Sequence, residues 1–174
     1  MEITYPLILR FVHVVASVCW AGGAFIFFLF VEPTAKALEP AGRQFVQYMV
    51  VKRRYSIFMV VSSTLTVLAG ALLILESAGG DFASYIGTGP GLGFTLGSIA
   101  GIAVYIVGMF GVNPRAIKLT KIGQQVQAAG GPPTPAQAAE LHKLDKEMST
   151  LSLIDFVLVA VSLDLMATAR YWLF

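Results

Sequence analysis

Apolar residues run almost unbroken through four stretches of this chain, about residues 6–31, 55–77, 91–113 and 150–173, with polar segments between them. The first reads PLILRFVHVVASVCWAGGAFIFFLFV. A helix needs ~20 apolar residues to cross the hydrocarbon core of a bilayer, and each stretch is long enough. The pattern predicts an all-α integral membrane four-helix bundle, one domain over residues 1–174. Pro6 suits a first helical turn, where a missing N–H costs nothing, and Pro33 closes the first span.

The polar segments also read as helix. From Pro40, AGRQFVQYMVVKRRYSIF carries no breaker and is expected to run straight into the second span. Past Pro114, RAIKLTKIGQQVQAA continues the third span, kinked where proline removes a backbone bond. Gly130-Gly131-Pro132-Pro133 forces a reversal. Thr134-Pro135-Ala136-Gln137 fits a capping box with proline at N1, opening a helix that leads into the fourth span. The result is a helical hairpin over about 115–149, with Leu141, Leu144 and Met148 as its apolar seam at helical spacing. At the other end, the glycine-rich ESAGGDFASYIGTGPGLG predicts a short re-entrant or interfacial segment with Phe82 and Tyr85 at headgroup level.

Charge gives the bundle a direction. Lys36, Arg43, Lys52, Arg53 and Arg54 lie in residues 32–54, and Arg115, Lys118, Lys121, Lys143 and Lys146 in residues 114–149; residues 78–90 hold no Lys or Arg. By the positive-inside rule both basic segments are cytoplasmic and both termini face outward. Composition agrees: 13% of residues are charged, against about 25% in soluble domains, and the mean hydropathy is +0.75. The first run is too long for a removable signal peptide and lacks a basic n-region and an A-x-A site. A lone cysteine, Cys19, excludes an internal disulfide or a multi-cysteine centre within one chain. No nucleotide-binding loop, metalloprotease motif or hydrolytic triad is present, which disfavours a hydrolase or pump, and no nucleic-acid partner is expected. Gly93, Gly97 and Gly101, with Gly108 further along the same face, form a ridge of small residues. Such a ridge lets helices approach closely, either within the chain or toward a second copy or a larger membrane complex.

Ionisable residues inside a span mark candidate sites. At 1.5 Å per residue, Arg10 lies roughly 6 Å and His13 roughly 10 Å beyond Pro6, while Met166 and Asp164 lie roughly 9 and 12 Å before Trp172. Arg10 and Asp164 therefore share a layer with His13 and are expected to form a charge pair. Asp155 falls in the opposite half, where it is expected to cap or orient the start of the fourth span with Ser152. His13, Ser17 and Trp20 lie near one face of the first span with Gly23 beside them, an arrangement that makes room for a flat ring. A neutral imidazole is a common axial ligand of haem iron, so haem b on His13 is the leading expectation, with Met166 or a neighbouring chain facing the same cavity. The competing expectation is a packed histidine bonded to a carbonyl or to Asp164. His142 lies on the cytoplasmic side and cannot share that haem. Copper on His13 and Met166 is the alternative cofactor, although Cys19 points about 120° away from His13.

The runs LRFVHVVASVCWAGGAFIFFLFVEP and RQFVQYMVVKRRYSIFMVVSSTLTVLAGALLI resemble the bacterial four-helix family around the copper-resistance D (CopD) membrane domain. They are also similar to the haem-binding protoporphyrinogen oxidase HemJ. The resemblance rests on His13, Trp20 and Gly22 in the first span and the pair Arg53-Arg54 before the second, over the first half of the chain. It implies a four-helix membrane fold and a haem or metal role for His13. The oxidase type also carries a lysine in its third span, and residues 91–113 contain no lysine or histidine. Three functions follow as expectations: a haem b or redox-associated protein, a copper-handling protein, or a non-catalytic accessory subunit of a larger membrane complex.

Overall fold

The computed structural model describes residues 4–174, and its elements are all helical among those residues. They are α1 (Thr4–Ala37), α2 (Ala41–Val51), α3 (Tyr55–Ala78), α4 (Phe82–Ile86), α5 (Gly89–Ala129) and α6 (Pro135–Tyr171). Helices α1, α3, α5 and α6 are each long and apolar enough to cross a membrane, which makes the chain a multi-pass membrane bundle. α1 packs along α3, α5 packs along α6, and the two pairs join around a small core of Ala21, Val104 and Val159. Large side chains such as Phe11, Val18 and Phe110 face outward. In lipid this is the expected inversion, because acyl chains are as apolar as leucine and helices associate instead through small residues and close packing.

The glycine ridge is used within the chain. A Cβ on Gly93 would stand 2.8–2.9 Å from Ala169, one on Gly97 3.1 Å from Met166, and one on Gly101 3.2 Å from the Ser162 hydroxyl. Ser162 also donates to the Gly97 carbonyl at 2.9 Å. These residues let α5 and α6 touch within the chain.

Two helices change pitch at matching places. Phe27–Val31 in α1 and Val107–Val112 in α5 are π-helical, each followed closely by a proline, Pro33 or Pro114. Proline has no N–H and crowds the carbonyl four residues back, so a wider turn ahead of it lets the helix continue rather than break. Glu32 and Asn113 accordingly bond five residues back, to Phe27 and Gly108. Arg115 donates through its guanidinium to the Gly111 carbonyl at 2.9 Å, capping an acceptor in the widened turn.

The expected unbroken run from residue 40 into the second span is corrected by the structure. α2 ends at Val51, and Arg54 sits at φ +55°, a left-handed turn ahead of α3. Neither glycine nor proline marks that turn. The hairpin forms with its capping box in place: Gln137 N–H donates to the Thr134 hydroxyl, and the Gln137 side chain accepts from the Thr134 N–H. Leu141 and Leu144 are buried against Ile122, sealing its seam. Between α3 and α5, Asp81 caps α4 by accepting from the Ser84 N–H and hydroxyl, and these bonds hold its carboxyl below the usual range.

Candidate functional site

His13 is held by α3. Its Nδ1 lies 2.8 Å from the Thr66 carbonyl. A carbonyl only accepts, so Nδ1 carries the proton, and in the neutral ring Nε2 is left with the lone pair. The ring lies against Gly70, where a Cβ would come within 2.9 Å of it. Ser17 donates to the His13 carbonyl at 2.6 Å. Beside them α3 buries Ser62, Ser63 and Thr66, whose hydroxyls donate to backbone carbonyls one turn back and carry no free polarity.

The other residues expected around His13 are placed elsewhere. α1 crosses the bundle, so the face that meets α3 at His13 meets the α5–α6 core at Trp20. Gly23 packs on Met59 and accepts from the Tyr55 hydroxyl at 2.9 Å. Met166 packs on Gly97 of α5, its Cγ and Cε 3.1 and 3.2 Å from where a Cβ there would stand. Arg10 and Asp164 are both exposed and make no ion pair with each other, because α1 and α6 meet only deeper, where Phe25 and Phe28 pack on Phe156 at 5.1 and 4.5 Å.

The open space lies toward the basic end of the bundle. A cavity of about 130 Å³ sits between α1, α3, α5 and α6, bordered by both π-helical segments. Trp20, Tyr55, Met59, Tyr105, Asn113 and Asp155 line it. Asp155 does not cap a helix start: α6 runs unbroken from Pro135, so Asp155 sits in its middle. Among the described residues no hydrogen bond or ion pair reaches its carboxylate, whereas Tyr105 shares a hydrogen bond with Thr64 at 3.2 Å. A second cavity of about 150 Å³ adjoins the first and shares Phe27, Val50, Ala116 and Met148 with it. Its walls are charged. Lys36 donates to Glu32 Oε1 and to Ser149, each at 2.6 Å, and Arg43 joins Glu39 and Asp145 at 2.7 and 3.3 Å. The other Glu32 oxygen, Oε2, is buried without a partner among the described residues.

This pair of cavities was not foreseen from the sequence. The signal that could have found it was a carboxylate inside a span, together with the dipeptides Glu32-Pro33 and Asn113-Pro114 at the same end of their helices. No cluster of three or more His, Cys, Asp or Glu side chains able to hold a metal occurs among the described residues. No family model, curated protein or solved structure matches the chain.

Proposed function

We propose that this chain is a haem b-associated, redox-linked subunit of a larger assembly in the bacterial inner membrane, similar to the copper-resistance D and HemJ-type group, with both termini outside. The observation that carries this reading is the hydrogen bonding of His13: Nδ1–H donates to the Thr66 carbonyl and leaves the Nε2 lone pair with no partner among the described residues. A carbonyl that accepts from the far ring nitrogen is the usual support of a ligating imidazole. The chain is read as supplying one ligand; Trp20, Gly23 and Met166 pack on other neighbours, which favours assigning the rest of the site to another chain. When bound, haem supplies one-electron chemistry. His13 would hold its iron, Thr66 fixes the tautomer and Gly70 leaves the ring room. The chain is read as non-catalytic by itself, in keeping with a third span that lacks lysine. Copper stands second, because a copper site needs several converging donors and Met166, the other donor expected beside His13, packs on Gly97 of α5.

Visible spectra recorded with and without dithionite test this, on the gently purified native assembly and on the isolated chain. The assembly is expected to show a haem signature that His13→Ala abolishes while the chain still inserts and folds. A colourless assembly, or an unchanged spectrum in His13→Ala, overturns it.

A further inference from the structure

We propose that the cavity between the two π-helical segments binds a small organic ammonium ion, held by the Asp155 carboxylate and the aromatic rings around it and entered from the charged cavity beside it. Charge is the first reason. Asp155 is ionisable, lies in a membrane-spanning helix and has no partner among the described residues, so a cation beside it would offset the cost of a bare carboxylate there. Three cations from the flanking helices already have carboxylate partners. Lys36 is held by Glu32, Arg43 by Glu39 and Asp145, and Arg115 by Glu147 at 2.6 Å.

The lining selects the kind of cation. Among the described residues Asp155 is the one carboxylate bordering this cavity, and no histidine borders it. A bare metal ion, which needs several oxygen or nitrogen donors, is poorly served there. Rings from Trp20, Phe27, Phe28, Tyr55 and Phe156 also line the space, and ring faces attract ammonium groups once water is excluded. A volume of about 130 Å³ is close to the roughly 150 Å³ that accepts a benzene-sized guest. Opposite the carboxylate, a Cβ on Gly108 would meet nothing closer than Asp155 Oδ1 at 3.8 Å, so the glycine leaves real space. The adjoining cavity sets Glu32, Glu39 and Asp145 against Lys36 and Arg43, and Glu32 Oε2 stays unpartnered among the described residues, so an entering cation meets a free carboxylate oxygen on the way.

This site is separate from His13, and the test keeps them apart. Tetramethylammonium chloride is titrated calorimetrically into the detergent-purified full chain, against sodium chloride at equal ionic strength. Saturable one-to-one binding is expected for the wild type and for His13→Ala. Asp155→Asn should weaken it at least ~10-fold. Gly108→Ala, whose methyl fits the space without a clash, should weaken it several-fold while leaving the thermal melt in place. If Asp155→Asn fails to fold, the Gly108→Ala comparison decides. Absence of saturable binding, equal affinity in a folded Asp155→Asn, equal affinity in Gly108→Ala, or equal competition by sodium each overturns the proposal.

Discussion

Gly130 ends α5 at φ +66°, whereas Gly131 beside it has no such constraint, and a methyl group there would meet nothing within 4 Å. An L-residue with a Cβ is strained in the left-handed region, so Gly130→Ala should lower stability by about 1 kcal/mol, and Gly131→Ala should leave it nearly unchanged. Thermal melts of the two variants in one detergent check this; equal melts would mean the hairpin turn tolerates a side chain at both positions. That turn was legible in the sequence, because Gly-Gly-Pro-Pro announces it. The left-handed Arg54 was not, because an arginine in mid-segment carries no local signal and only the packing of α2 beside α3 demands the turn. His13 was legible as a residue that needs a partner. Its partner was not, since the Thr66 group that receives it is a backbone carbonyl and leaves no trace in side-chain identity.

At the scale of elements, the α5–α6 seam depends on the absence of side chains. A leucine at Gly93 would collide with the Ala169 backbone, which cannot swing aside as a side-chain tip can. Gly93→Leu should therefore cost about 1–3 kcal/mol, the usual penalty for overpacking a close contact. Gly22→Ala, at a position with nothing within 4 Å, should be near neutral. Thermal melts of both variants check this. Loss of stability in both, or in neither, would show that the ridge does not set the approach of the helices. The spacing of the ridge was readable because four-residue periodicity on a helix gives a single face. What it packs against became visible only with α6 beside it. The same limit hid the cavity. Pro33 was expected to close the first span and Pro114 to kink the third, whereas both helices run on through a π-helical turn, and only the structure shows that the two turns border one space.

For the whole molecule, the proposed sidedness can be checked in intact cells by single cysteines at Gln125 and Gly80, in a chain whose Cys19 has been replaced. An impermeant thiol reagent should label Gly80→Cys and spare Gln125→Cys; the reverse pattern would invert the bundle and place the charged cavity outside. The four spans followed directly from hydropathy, because a bilayer fixes the length of apolar helix that can cross it. Their lengths beyond the membrane carry a mechanical meaning. α5 has 41 residues, about 60 Å of helix, of which the hydrocarbon core covers ~30 Å. The remaining ~30 Å is a rigid continuation of the helix that borders the cavity, braced by its hairpin partner. Were α5 to bend near Gly108 and Asn113, a tilt of about 10° there would carry the far tip roughly 5 Å, so a shift of α5 beside Asp155 would arrive enlarged at the polar end of the hairpin.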